Sequence, residues 1–305
     1  MDVREQQKEI RELAREKKAI ILAHNYQPPE IQDVADLVAD SLELSLKAAQ
    51  TEAEVIVFCG VRFMAETAAI VCPDKLVVFP RPEAGCEMAD MITVEDVEAL
   101  KAKYPKAPVV TYVNSYVEIK AVSDICCTSA NSVNVIKSLE AEEIIFLPDM
   151  NLARYTQRFF KDKKIYYHDG FCPFHDVLTV EDVKKAKEAH PEAVFMAHPE
   201  CRPEVIDLAD AVRSTSGMLR FAKESPAKEF IVGTEVGLLY PLKKQNPEKE
   251  FYPASEKMLC QAMKIITLED LKRSLETLSP VVTVPEDIRQ RAYRAVARML
   301  EIPRQ

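Results

Sequence analysis

The chain has 305 residues, a formal net charge of −9, and an ordinary balance of 48% hydrophobic and 29% charged residues. An acidic chain without a basic tract is not typical of nucleic-acid binders, and its apolar runs are too short to cross a membrane. The first 18 residues are highly charged and lack the apolar core of a signal peptide, so the eight cysteines indicate thiols or metal ligands in a reducing compartment. We therefore expect a cytoplasmic protein that binds neither nucleic acid nor membranes.

A helix-start motif occurs three times along the chain. Thr93, Thr179 and Thr267 are each followed three residues later by an aspartate and then by apolar positions at helical spacing. This pattern predicts three capped helices. Because repeats indicate repeated structural units, we interpret the chain as three copies of one unit.

Each repeat contains three short apolar segments bounded by turn residues, which predict buried strands. In chain order they are 19–23, 55–58, 76–79, 109–113, 144–147, 164–167, 193–197, 230–233 and 250–252. Alternation with helices favours parallel sheets. We expect an α/β fold of three pseudo-threefold-related, three-layer αβα domains with short parallel sheets: 1–86, 87–172 and 173–264, with the helices of 265–305 packing back on the first.

Polar residues follow the first strand of each repeat. His24 and His198 stand at equivalent positions, Asn114 follows the corresponding strand of the second repeat, and Tyr112 and Glu200 are nearby groups suited to proton transfer. Ligands of open α/β sheets bind beyond the carboxyl ends of the strands. We therefore expect an active site where the three domains meet.

Hydroxyl-rich sequences recur further along each repeat, at Ser41, Ser129 and the pair Ser214 and Thr215. Each is interpreted as a helix start. A single one would be an ordinary N-cap, but three converging helix N-termini would bind a substrate with several carboxylates or phosphates.

Three cysteines also recur in register. Cys86, Cys172 and Cys260 are separated by 86 and 88 residues and follow the last strand of each repeat. Three converging thiolates could hold a 4Fe–4S cluster with one open iron, or Zn²⁺ with an open fourth position. The five cysteines outside the register are interpreted as buried structural thiols: Cys59, Cys72, Cys126, Cys127 and Cys201.

At these residues the sequence resembles the quinolinate synthase family, and the resemblance covers nearly the whole chain. The matching motifs fall in the expected order: AHNYQ at 23–27, DSLELS at 40–45, CEMADM at 86–91, YVNS at 112–115, TSANSV at 128–133, HPEC at 198–201, STSGM at 214–218, TEVG at 234–237 and CQAMKIITL at 260–268.

The resemblance implies a three-domain fold with one 4Fe–4S cluster, held by Cys86, Cys172 and Cys260, whose open iron is the site of chemistry. It implies condensation of iminoaspartate with dihydroxyacetone phosphate to quinolinate, phosphate and water, in NAD biosynthesis. An L-aspartate oxidase or dehydrogenase would be a functional partner that supplies iminoaspartate.

The resemblance also implies roles for single residues. Tyr26, Tyr112, Glu200, His198 and His175 would be catalytic. The substrate-binding residues would be His24, Ser41, Tyr112, Asn114, Ser129, His198, Glu200, Ser214 and Thr215.

Two features depart from the family pattern. Pro173 and Phe174 precede His175, where a β-branched residue usually precedes the histidine. Some members carry a C-terminal Cys-x-x-Cys pair that could act as a redox switch; this sequence lacks the pair, so no such switch is expected.

Two other functions remain open. A non-catalytic iron–sulfur carrier or sensor would normally have four protein ligands, and a zinc lyase would differ in its metal.

Overall fold

The computed structural model describes residues 2–304 and contains three four-stranded parallel sheets. The first sheet and its helices comprise, in chain order, α1 (Val3–Glu16), β1 (Ala19–His24), α2 (Pro29–Val34), β2 (Leu37–Ala39), α3 (Ser41–Gln50), β3 (Val55–Cys59), α4 (Arg62–Val71) and β4 (Leu76–Val78). The strand order is β2-β1-β3-β4.

The second sheet repeats this order with equivalent strands. After a 3₁₀ turn at Ala89–Met91, its elements are α5 (Val94–Lys103), β5 (Val109–Tyr112), α6 (Val117–Ala121), β6 (Ile125–Cys127), α7 (Ser132–Ser138), β7 (Glu143–Leu147), α8 (Met150–Gln157) and β8 (Lys164–Tyr167). The strand order is β6-β5-β7-β8.

The third sheet has the order β10-β9-β11-β12. Its elements are α9 (Pro173–Asp176), α10 (Val180–Ala189), β9 (Val194–Ala197), α11 (Pro203–Ile206), β10 (Ala211–Val212), α12 (Thr215–Glu224), β11 (Glu229–Gly233), α13 (Leu239–Gln245) and β12 (Glu250–Pro253), with 3₁₀ turns at Val236–Leu238 and Gln261–Lys264. Two helices follow, α14 (Leu268–Thr277) and α15 (Glu286–Leu300).

The α/β fold with three short parallel sheets is therefore confirmed. The central strands are apolar and buried along most of their length because helices cover both faces of a parallel sheet. One contiguous hydrophobic core runs through all three groups of elements, and a smaller cluster lies beneath α5.

The threonine motifs cap helices as predicted. The side-chain oxygens of Thr93, Thr179 and Thr267 accept hydrogen bonds from the backbone N–H groups three residues later, at 3.2, 3.1 and 3.1 Å. These threonines precede α5, α10 and α14, so each repeat of the motif starts a helix.

Two sequence-based expectations about elements are wrong. Each sheet has four strands rather than three, since the apolar pattern does not predict the short edge strands β2, β6 and β10. The hydroxyl-rich sequence at Ser129 does not start a helix: α7 begins at Ser132, and Ser129 lies in the turn before it.

The last two helices pack at different places. Helix α14 contacts α1 and β3 of the first group, whereas α15 contacts α4 and also α6 and β6 of the second group. Helix α15 thus joins two of the three groups. Within residues 2–304, no helix combines the length and apolar character needed to cross a bilayer.

Candidate active site

One cavity of about 290 Å³ lies where the three groups of elements meet. Its volume suits a small molecule rather than a polymer. All but one of the sequence-predicted site residues line it: His24, Tyr26, Ser41, Cys86, Tyr112, Asn114, Ser129, Cys172, His175, His198, Glu200, Thr215 and Cys260.

The exception is Ser214, which the structure places beside the cavity as the N-cap of α12. Its hydroxyl oxygen accepts from the Gly217 N–H at 3.3 Å, and the hydroxyl donates to Asp40 Oδ2 at 3.3 Å. The next residue, Thr215, lines the cavity, and its Oγ1 accepts from Asn25 Nδ2 at 2.9 Å.

The central strands β1, β5 and β9 bring the polar groups together because the carboxyl ends of all three face the cavity. His24 ends β1, and its Nδ1 accepts the Tyr26 N–H at 3.2 Å. Burial, reinforced by the neighbouring His198, lowers the pKa of His24 to about 3. The His24 imidazole is therefore neutral at neutral pH.

Glu200 joins the two other histidines of the cavity. Its Oε2 lies 2.7 Å from His175 Nδ1 and 3.4 Å from His198 Nδ1. Burial opposes ionisation of Glu200, but the two histidines outweigh burial and hold its pKa well below the usual value. The site thus contains a buried carboxylate that stays ionised.

Both tyrosines of the cavity are kept as neutral phenols. Burial, together with the negative charge of Glu200, raises the pKa values of Tyr26 and Tyr112 well above their usual value. A neutral phenol beside an ionised carboxylate is suited to donate a proton or a hydrogen bond to a bound substrate.

Thr234 connects Tyr26 to His175 and was missed by the sequence analysis as a site residue. Its Oγ1 lies 2.5 Å from the Tyr26 hydroxyl and 2.8 Å from His175 Nε2. The residue directly follows β11, and the signal in the sequence was a polar residue after a buried strand in the TEVG motif.

Glu235 is a second residue that the sequence analysis missed. It lines the cavity, and its Oε1 accepts the backbone N–H of Cys260 at 3.2 Å while Oε2 accepts that of Gly237 at 2.8 Å. Lys264 pairs with the same carboxylate at 2.9 Å. These contacts fix the loop that carries Cys260.

The three registered cysteines lie on the loops that follow β4, β8 and β12, and each is partly buried. Burial raises the pKa of Cys86 to about 12 and that of Cys260 to about 11. Burial, together with the negative charge of Glu200, raises the pKa of Cys172 well above its usual value. Thiolates at these positions need a cationic partner, which a metal centre supplies.

A set of metal-ligand types surrounds Cys172. The sulfur of Cys172, a ring nitrogen of His175 and a carboxylate oxygen of Glu200 lie within 4.8 Å of one another. His175 Nδ1 is 3.1 Å from the sulfur, so His175 stands beside Cys172 despite the preceding Pro173 and Phe174. The five cysteines outside the register are buried, as expected.

Fold and cavity together define an α/β protein of three like units whose junction forms one buried, thiol-containing polar site for a small molecule. The family model of the quinolinate synthetase A protein matches residues 8–301, and the chain belongs to that family. The family resemblance of the sequence motifs is thereby confirmed.

Relatives from bacteria and an archaeon match almost the full chain. A quinolinate synthase of Geotalea uraniireducens (strain Rf4) is 56% identical over 97% of both chains. One of Thermodesulfovibrio yellowstonii is 54% identical, covering 96% of this chain and 97% of the relative, and one of Methanosarcina barkeri is 56% identical over 96% of both.

Proposed function

We propose that this chain is a quinolinate synthase, an enzyme of NAD biosynthesis that condenses iminoaspartate with dihydroxyacetone phosphate to quinolinate, phosphate and water. The observation that carries the proposal is the meeting, in one cavity, of the three registered cysteines with the polar ends of β1, β5 and β9. Family membership and the names of the full-length relatives support the same reaction.

The proposed cofactor is one 4Fe–4S cluster held by Cys86, Cys172 and Cys260, with one open iron. A single Zn²⁺ holds thiolate ligands at about 2.3 Å, which places their sulfurs roughly 4 Å apart. Among residues 2–304, Cys172, His175 and Glu200 bring their donor atoms within 4.8 Å of one another, whereas the three sulfurs do not form such a group. The wider spacing favours a multi-iron cluster over one zinc ion.

When bound, such a cluster supplies a Lewis acid that polarises a substrate oxygen. The protein groups around it supply proton transfer. In the proposed mechanism Glu200, Tyr26 and Tyr112 take part in proton transfer, and in the free enzyme His175 and His198 hold Glu200 ionised while both tyrosines are neutral.

Substrate binding is assigned to the hydroxyl and imidazole groups of the cavity. Ser41 and Thr215 occupy the first turns of α3 and α12, where free N–H groups and the helix dipole favour carboxylate or phosphate. The proposed contacts of His24, Asn114 and Ser129 complete the pocket. Ser214 is assigned a supporting role, because its hydroxyl is bonded to Asp40 and the Gly217 N–H.

Three further proposals concern the setting of the reaction. The domains are proposed to divide at 86/87 and 172/173, with a third ending at 264. All eight cysteines are free thiols, which supports a reducing compartment and hence the proposal of a cytoplasmic enzyme. An L-aspartate oxidase or dehydrogenase is the proposed source of iminoaspartate, because that imine is short-lived in water.

Quinolinate formation under strictly anaerobic conditions tests the function. Cluster-loaded protein is mixed with dihydroxyacetone phosphate and freshly generated iminoaspartate, and product is measured by chromatography. We expect quinolinate only when both substrates and the loaded protein are present. A folded, fully loaded protein that makes none would exclude these substrates and favour an iron–sulfur carrier.

Matched cysteine variants belong to the same experiment. Cys86→Ala, Cys172→Ala and Cys260→Ala should each lose product and most of the bound iron, whereas Cys59→Ala, which changes a buried thiol at the end of β3, should retain both. Iron content and visible absorption are the readouts. Equal iron in all four variants would refute the ligand assignment.

A further inference from the structure

The segment that follows α15 lies against the turn that leads into α7. Asn131 Nδ2 donates to the Ile302 carbonyl at 3.2 Å. Asn134 Nδ2 donates to the carbonyls of Pro303 and Arg304, both at 3.0 Å. Two asparagines of the second group thus fix the backbone of this segment.

The side chain of Arg304 reaches from there to the first group. Its Nη1 lies 3.0 Å from Asp40 Oδ2, and its Nη2 lies 2.9 Å from Glu43 Oε2. The Arg304 side chain is 22% exposed and that of Asp40 only 7%, so water screens their interaction less than it screens a surface ion pair.

Asp40 stands at the junction of α3 and α12. Its Oδ1 accepts the Glu43 N–H at 3.1 Å and so caps α3, while Oδ2 accepts from the Ser214 hydroxyl at 3.3 Å. Ser216 Oγ accepts the Asp40 N–H at 3.1 Å. The carboxylate therefore links the starts of two helices that come from different sheets.

The negative charge of Asp40 disfavours the binding of an anion in the cavity. Asp40 and its neighbour Ser41 both line it, as does Thr215 on the other helix. A carboxylate at this position repels the oxyanion that the two helix starts and hydroxyls are proposed to bind. Arg304 is bonded to that carboxylate without itself lining the cavity.

We propose that Arg304 is a positioning residue for oxyanion binding, which offsets the charge of Asp40 and holds the junction of α3 and α12 in place. The inference rests on the proposed function, since it takes the bound group to be a substrate carboxylate or phosphate at Ser41 and Thr215. A carboxylate and a phosphate both present negatively charged oxygens, so the same site could bind either group.

The test measures binding of two non-reacting probes, inorganic phosphate and succinate, to cluster-loaded protein by anaerobic calorimetry. Arg304→Gln keeps most of the side chain and removes its charge. We expect its affinity to fall on the order of tenfold for at least one probe. Loss for phosphate alone assigns the junction to a phosphate group, and loss for succinate alone assigns it to a carboxylate.

A double variant shows whether Arg304 acts by offsetting the charge of Asp40 or only by anchoring the C-terminal segment. Asparagine caps a helix as well as aspartate does, so Asp40→Asn in the Arg304→Gln background should restore most of the lost affinity. In turnover, Arg304→Gln should raise KM with kcat nearly unchanged. Arg291→Gln, which removes an exposed arginine of α15, is the matched control and should behave as the parent protein.

Unchanged affinity of Arg304→Gln for both probes would overturn the proposal, as would a deficit that Asp40→Asn fails to restore. A parent protein that binds neither probe would also overturn it. A parent protein that binds a probe, shows the Arg304 dependence and makes no quinolinate would instead leave the inference standing and remove the proposed reaction.

Discussion

At the scale of single residues, one hydrogen-bond chain joins Tyr26 to the buried carboxylate of Glu200. The ionised Glu200 can only accept, so His175 Nδ1 donates to it. Thr234 Oγ1 lies between His175 Nε2 and the Tyr26 hydroxyl, within hydrogen-bond distance of both. The chain therefore holds the His175 ring and the Tyr26 phenol in place.

Removing the Thr234 hydroxyl should break this chain. Thr234→Val is nearly isosteric, but it leaves a buried phenol and a buried imidazole nitrogen without their shared partner. Such a loss costs roughly 1–3 kcal/mol of stability. Because Tyr26 and His175 are both proposed to be catalytic, we also expect their misplacement to lower kcat on the order of tenfold. The measurement is anaerobic turnover at saturating substrates.

Two variants control for packing. Thr234→Ser keeps the hydroxyl and should retain most activity. Thr67→Val removes another buried hydroxyl, one that donates only to the Phe63 carbonyl within α4, and should leave kcat unchanged. Full activity of Thr234→Val would show that Tyr26 and His175 act without this connection.

The sequence predicts the residues of the site that recur in register. His24, His198 and the three cysteine positions repeat because the units repeat, so the repeat spacing alone predicts that they converge. Thr234 and Arg304 carry no such signal, because their roles depend on contacts between residues 208 and 264 positions apart. Sequence spacing does not reveal pairings of that kind.

At the scale of elements, the same reasoning explains which strands the sequence predicts. The first two predicted strands of each unit are mostly buried apolar runs, and the third is more exposed, above all in β8 and β12. Their bounds agree with the structure to within one residue. The edge strands β2, β6 and β10 have only two or three residues each. Segments this short form because a neighbouring strand pairs with them, which is a tertiary effect.

The turn at Ser129 illustrates a second limit of predicting elements from sequence. The hydroxyl-rich sequence looks like an N-cap, but Asn131 Oδ1 accepts the Thr128 N–H at 2.8 Å and closes a turn first. The helix therefore starts three residues later than Ser129. Local side-chain hydrogen bonds compete with helix initiation, and the sequence does not show which one prevails.

The repeated caps allow a prediction at this scale. Thr93→Ala removes the oxygen that accepts the Asp96 N–H at 3.2 Å at the start of α5. We expect the free energy of unfolding to fall by about 1 kcal/mol, and the midpoint of thermal unfolding by about 2 °C. Differential scanning fluorimetry of the loaded protein measures this shift.

The control variants use the same residue type elsewhere. Thr93→Ser retains a capping oxygen and should lose little stability. Thr277→Ala lies at the other end of a helix, where its hydroxyl bonds only the exposed Arg273 and Ser279 carbonyls, and should change the midpoint less than Thr93→Ala. Equal effects of Thr93→Ala and Thr277→Ala would argue against the cap as the source of stability.

At the scale of the whole molecule, the cavity belongs to no single unit. The three cysteines come from loops after the last strands of three separate sheets. Each sheet and its helices form one small α/β unit, and the site forms only where the three units meet. A cofactor held by all three sulfurs would therefore connect the units as well as take part in chemistry.

Removal of the proposed metal centre tests this connection. A ligand that binds only the folded protein, present at about a thousand times its Kd, raises the free energy of unfolding by roughly 4 kcal/mol. We therefore expect anaerobic chelation of the metal to lower the midpoint of thermal unfolding on the order of 10 °C. Hydrogen exchange should rise in the loops 79–92, 168–179 and 253–267, while the central strands β1, β5 and β9 stay protected, because each strand keeps the core of its own sheet. Cys172→Ala, treated in the same way, should show the high exchange before chelation and little change after it. An increase spread evenly over all three sheets would mean that the centre supports folding as a whole, and no increase would mean that the three loops hold their positions without it.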